Sequence, residues 1–344
     1  MEARKEKEGD AEMALGSKCL KTGLLGRWKP DWDEASTHFE KAASSFRVAK
    51  ALGKAMDAYA RAAEAHANMD SAFMAAKHME SAATLARDAA KDPSQAATFF
   101  EKASEIHLGA ANVDAAAEAL SKAARAVEQH DAARGAALLT RACELFAEEE
   151  EQARLLSAVE IFKTAVSYLI RTADGASRTP QLARAAALLE QQAALHARLA
   201  SPHGVARCEL SAVVVRLAAD DYEGALASHE RAASTPQGYA ASDESFAASA
   251  LLDAYARQSD EALKAAVGGQ MFNFLENQVT RLAKSLTLRS AGVPTRLLAT
   301  AAAASGLASM ALDAPASQAE ATGDFGEVAP EDEDVAKEEE VDLC

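Results

Sequence analysis

The sequence predicts an all-α protein: an α-solenoid of antiparallel helix pairs, a C-terminal helical bundle and a disordered acidic tail. Three observations lead there. Alanine supplies 87 of the 344 residues, while Gly (17) and Pro (8) are scarce, a composition that favours helix and argues against α/β nucleotide folds and β-sandwiches. Apolar residues recur at helical spacing. The same small motif also returns about every 20 residues.

That motif is a small residue, usually an alanine pair, with a bulky residue three or four positions to either side. Its first copy is Phe39, Ala42, Ala43 and Phe46, and its second is Tyr59, Ala62, Ala63 and His66. Met79, Ala82, Ala83 and Leu85 form the third. Phe99 and Phe100 lead to Ala103 and Ile106, Leu120 to Ala123, Ala124 and Val127, and Leu139 to Ala142 and Phe146. Phe162, Ala165, Val166 and Leu169 continue the series, and later copies centre on Ala193, Ala212 and Ala232. The first six central alanines (42, 62, 82, 103, 123, 142) are separated by 20, 20, 21, 20 and 19 residues. One helix and its turn therefore take about 20 residues, and an antiparallel pair about 40. The small residue lets a neighbouring backbone approach while the large ones fill the space beside it. A helix this short cannot bury its apolar stripe alone, so pairs must stack into a TPR-like solenoid. An irregular Ala-rich bundle is the alternative.

Breakers mark the turns: Asp92-Pro93, Gly109 to Asn112, Gly175 to Pro180, Ser201 to Gly204 and Ser234 to Gly238. Residues 1–238 are read as the solenoid and 239–289 as the closing bundle. Residues 290–344 are read as a flexible Ala-rich linker and acidic tail, with no purpose evident for the apolar segment 296–312. Val213, Val214 and Val215 are read as a buried stretch of helix.

The net charge of −16 opposes bulk nucleic-acid binding, although local basic patches stay possible. Four cysteines (Cys19, Cys143, Cys208, Cys344) lie far apart with no CxxC spacing, which fits a reducing compartment. The charged N-terminus lacks a signal-peptide core, and no apolar run reaches the ~20 residues of a membrane span. No phosphate-binding loop, zinc-protease helix or dinucleotide fingerprint is present. Gly16-Ser17-Lys18 has the wrong order, and His229-Glu230 lacks the second histidine. His66 and His107 fall on the repeat stripe and are read as packed side chains. The expectation is a soluble cytoplasmic protein without catalytic residues, cofactor, resident metal or nucleic-acid partner.

Two terminal features stand apart. Residues 21–35 gather Leu24, Leu25, Trp28 and Trp32 in a turn-rich stretch beside Lys21, Arg27 and Lys29, suited to a membrane interface. Trp32 runs into a helix and is expected to pack back onto the first pair. Residues 331–344 hold eight carboxylates against Lys337 alone, −7 of the total charge, and end in Val341, Asp342, Leu343 and Cys344.

With the repeat, the Leu/Trp loop and the tail in view, the chain resembles the soluble NSF attachment protein (SNAP) family, most like its gamma type. The resemblance covers about residues 10–290 and the extreme C-terminus. Its most specific parts are CLKTGLLGRWKPDW (19–32), the helix from Phe39 to Arg47, and the penultimate Leu343. It implies a twisted sheet of helical hairpins that binds the SNARE coiled coil and recruits the hexameric ATPase NSF to pull SNAREs apart. It also implies peripheral association with endomembranes. NSF engagement would fall to Leu343 and Asp342, with Glu338, Glu339 and Glu340 supplying charge. SNARE bundles are acidic, so Lys122, Arg125, Lys163 and Arg171 become the candidate contacts. Lys163 matches a position that is basic in the family, whereas Ala117 stands near that of another lysine. Leu24, Leu25 and Trp28 occupy the membrane-loop region that holds a Phe-Phe pair in the alpha type. A TPR-like scaffold, chaperone or coat adaptor for another peptide is the competing reading.

Overall fold

The computed structural model describes residues 1–22, 28–147, 151–235 and 238–288. Among these residues are fourteen α-helices and no strand. The first four are α1 (Glu2–Cys19), α2 (Trp32–Val48), α3 (Leu52–Ala67) and α4 (Ala72–Leu85). Then come α5 (Pro93–Gly109), α6 (Val113–Val127), α7 (Ala132–Glu144), α8 (Gln152–Thr172) and α9 (Arg178–Arg198). The last five are α10 (Pro202–Ala218), α11 (Tyr222–Ala233), α12 (Asp243–Ala256), α13 (Asp260–Val267) and α14 (Asn277–Lys284). From α1 to α13 each helix packs on the next, the neighbour pattern of a solenoid.

The alanine stripe is the reason the helices lie so close. Ala42, Ala62, Ala82, Ala103, Ala123 and Ala142 are all fully buried, and Phe39, Phe46, Phe100, Leu120, Leu139 and Phe146 fill the space around them. In α1 the small residues are glycines. A side chain at Gly9 would meet the Phe46 ring, and one at Gly16 would meet the Phe39 ring. Pairs 9/46 and 16/39 run in opposite directions along the chain, so α1 and α2 are antiparallel.

Turns follow one pattern that the sequence hides. Lys50, Asp70, Lys91, Ala111, Ala200, Asp220 and Gln258 all have φ between 50° and 61°, the left-handed conformation usually reserved for glycine. In six of these turns the next residue's N–H reaches back five residues to a carbonyl, as Ala51 does to Phe46 and Asn112 to His107. That same residue caps the following helix: the side chains of Asp92, Asn112, Asp221 and Ser259 each accept a backbone N–H of the next first turn. One left-handed residue thus ends a helix and the next begins another.

One turn differs from the sequence reading. The break after α8 ends at Ser177, and Pro180 lies inside the first turn of α9, where proline's missing N–H costs nothing. Helices α8 and α9 run 21 residues each, which lengthens the repeat there.

The stretch 210–215 of α10 is buried on every side, with Val213, Val214 and Val215 fully buried, because α9, α11, α12 and α14 surround it. Helix α14 also reaches back to α8, bringing the last described helix against the repeats.

Candidate interaction surface

The repeat places equivalent positions of every second helix side by side, and charged side chains bridge them. On the even helices Glu80 of α4 takes Lys122 of α6 at 3.0 Å. Glu128, the C-cap of α6, takes Arg171 of α8 through two bonds of 2.6 and 3.1 Å. On the odd helices Glu6 and Asp10 of α1 hold Lys54 of α3, at 2.8 and 2.9 Å. Glu101 of α5 holds Arg134 of α7, and Glu190 of α9 holds Arg231 of α11 at 3.0 Å. The even-helix partners lie 42 and 43 residues apart, one helix pair along the chain.

The four basic candidates are therefore not equivalent. Burial alone would lower the Lys122 ammonium, but its bonds to Glu80 and Glu118 outweigh burial and raise its pKa. Arg171 is raised chiefly by its bond to Glu128 and also stands over the Tyr168 ring, 5.8 Å from its centroid. Both charges are already matched within the protein. Arg125 is exposed, and its Nε donates to the Ser121 carbonyl of its own helix at 3.3 Å. Lys163, half exposed, has among the described residues only a distant contact to Glu160 at 3.7 Å.

Lys163 also lines a cleft of about 330 Å³ where α8, α9 and α10 meet the segment 270–279. Arg207 stands on the same rim, 5.8 Å from the centroid of the exposed Phe274 ring. Arg207 and Phe274 are absent from the sequence reading, because α10 and the segment after α13 become neighbours only through the fold. The cleft is also lined by His196, whose Nδ1 has no hydrogen-bond partner among the described residues and whose pKa burial lowers.

At the other end Trp28 is 89% exposed, whereas Trp32 packs against the cluster of Cys19, Ala35 and Phe39. The two tryptophans four residues apart thus have opposite roles. Leu24 and Leu25 of the loop lie outside the described residues, as do Glu338, Glu339, Glu340, Asp342 and Leu343 and the segment 296–312. Among the described residues no helix is long and apolar enough to cross a membrane.

Residues 3–283 match the family described as "Soluble NSF attachment protein, SNAP". The gamma-soluble NSF attachment protein of Dictyostelium discoideum is 30% identical over 288 residues, covering 84% of this chain and 85% of the relative. The protein of the same description from Arabidopsis thaliana is 29% identical over 277 residues, covering 80% and 91%. A solved structure, BtubC from P. vanneervenii, shares 14% identity at a TM-score of 0.28, too distant to bear on function. A family match over nearly every described helix, joined to a stacked-hairpin fold, makes this chain a member of the soluble NSF attachment protein family.

Proposed function

We propose that this protein is a non-catalytic adaptor that binds assembled SNARE coiled coils and recruits NSF to separate them in vesicle trafficking. The observation that carries this reading is the family match across residues 3–283. The charge arrangement supports it. A rod-like acidic partner would lie along the stacked helices, and Lys163 and Arg125 are the candidate cations least committed to carboxylates within the protein. Lys122 and Arg171 serve the stack first, and contribute to partner binding by keeping the even-helix face in register.

The acidic C-terminus takes the second role. Its eight carboxylates steer it toward a basic partner, and Leu343 supplies the apolar contact that activates NSF. Trp28, with Leu24 and Leu25, adds weak contact with the membrane in which SNAREs sit. The setting is the cytoplasmic face of endomembranes, including ER–Golgi transport and membrane fusion.

The test is disassembly of purified SNARE complex by NSF and ATP with and without this protein. Acceleration over NSF alone supports the adaptor reading, and no acceleration across a panel of SNARE complexes refutes it. Leu343→Ala should keep SNARE binding and lose most of the ATPase stimulation.

A further inference from the structure

Three consecutive helices bring one carboxylate and two imidazoles to a single point. Glu40 stands on α2, His66 on the last turn of α3 and His78 on α4. The Nε2 of His66 lies 2.9 Å from Glu40 Oε1, and the Nε2 of His78 lies 3.0 Å from the same oxygen. The three donor atoms all fall within 4.8 Å of one another. The two rings stack nearly parallel, with centroids 5.1 Å apart, and Tyr59 also stacks against His78.

We propose that Glu40, His66 and His78 form a site for one divalent transition-metal ion of the zinc class, which clamps α2, α3 and α4 together.

Charge is the first argument. Glu40 to His78 is a rung of the even-helix series, 38 residues apart, like Glu80 to Lys122 and Glu128 to Arg171. In those two rungs a permanent cation neutralises the carboxylate. Here the partner of the carboxylate is an imidazole, which lacks the permanent charge of lysine or arginine. A divalent ion supplies what lysine and arginine supply one and two helix pairs further on.

Geometry is the second argument. Around a tetrahedral ion with ligand bonds of about 2.0–2.2 Å, donor atoms sit roughly 3.3 Å apart. The two separations from Glu40, 2.9 and 3.0 Å, need to open by only a few tenths of an ångström, and the two imidazole nitrogens lie within 4.8 Å of each other. Each Nε2 is placed to donate a proton to Glu40. On metal binding that proton moves to Nδ1, and the freed lone pair turns to the ion. Both histidine side chains are nearly buried while Glu40 is 41% exposed. The ion thus has an entry path on the carboxylate side.

The experiment uses the full chain, stripped with chelator and titrated with Zn²⁺ or Co²⁺ at pH 7. One equivalent should bind, and the unfolding temperature should rise with metal concentration. Bound Co²⁺ should show a ligand-field spectrum without thiolate charge transfer, and should shift the ring signals of two of the eight histidines. His66→Gln and His78→Gln should each weaken binding about 100-fold, with Glu40→Gln at the exposed edge somewhat milder. If the histidine variants fail to fold, the wild-type histidine shifts and Glu40→Gln decide the matter. Unshifted His66 and His78 signals would overturn the proposal. So would a thiolate band abolished by Cys19→Ser, since the ion would then sit with Cys19, Glu34 and His38.

Discussion

The Arg171 guanidinium of α8 grips the carboxylate of Glu128, at the end of α6, with two nitrogens, although 43 residues separate them. Glu128 is the more buried partner, so the pair acts as a tie between consecutive helix pairs more than as a surface decoration. A double-mutant cycle with Arg171→Met and Glu128→Gln should give a coupling of about 0.5–1 kcal/mol in chemical unfolding. Coupling indistinguishable from zero would show that the tie contributes only to register.

Lys163 should behave in the opposite way. With no carboxylate closer than 3.7 Å among the described residues, it is available to an acidic partner, and its replacement should leave the fold alone. Lys163→Glu should weaken SNARE-complex binding about 10-fold, near 1.4 kcal/mol, with an unchanged unfolding midpoint. Affinity unchanged in a direct binding assay would remove this residue from the partner surface.

Two glycines of similar sequence context should respond with opposite sign. At Gly16 an added methyl would press on the Phe39 ring; overpacking of ~1–3 kcal/mol exceeds the ~0.5–1 kcal/mol that alanine returns in helix propensity. Gly16→Ala should therefore destabilise by about 1 kcal/mol. At Gly53, in the first turn of α3, nothing lies within 4 Å of the new methyl, so Gly53→Ala should stabilise by up to about 0.5 kcal/mol. Thermal or urea unfolding of both variants decides it.

The left-handed turns offer a further gain. Ala111 and Ala200 adopt φ of 56° and 51° without the polar side chain that eases this conformation in Asp70 and Asp220. The strain of roughly 1–2 kcal/mol outweighs the ~0.5–1 kcal/mol of chain entropy that glycine forfeits. Ala111→Gly should raise stability by about 0.5 kcal/mol, and a lowered unfolding midpoint would show that the alanine methyl packs usefully.

Glu209 on α10 should give the protein a distinctive pH dependence. Burial pushes its carboxyl up to about 7, from 4.5, against the pull of Arg231, and one of its oxygens has no partner. The folded state thus holds a proton that the unfolded chain releases near 4.5. Its contribution is full below that value and is lost as pH rises toward about 7, amounting to at most about 3 kcal/mol. Glu209→Gln should be more stable than wild type at pH 8, with the difference shrinking toward pH 5. Parallel stability–pH curves for the two proteins would refute the shift.

Two things were legible along the chain: the helices of the repeat and the stripe they bury. Both follow from local rules: alanine's helix propensity and a spacing of three and four set the buried stripe, from Ala42 to Ala232. The sequence also separated Trp32, which continues into a helix, from the loop that carries Trp28. It did not reveal the turns at Lys50, Asp70 or Asp220, because glycine and proline signal a turn only where strain is avoided, and here the chain tolerates it. Tertiary structure alone decided which charges are matched. Lys122 and Lys163 look alike along the chain, yet one meets Glu80 across the stack and the other faces a cleft with Arg207. The same holds for Glu40, His66 and His78, which lie on three separate helices. Helical periodicity fixes where a side chain points on its own helix, over a few residues. What it meets depends on how neighbouring and alternate helices stack, a distance set only once the alanine stripes have closed against one another.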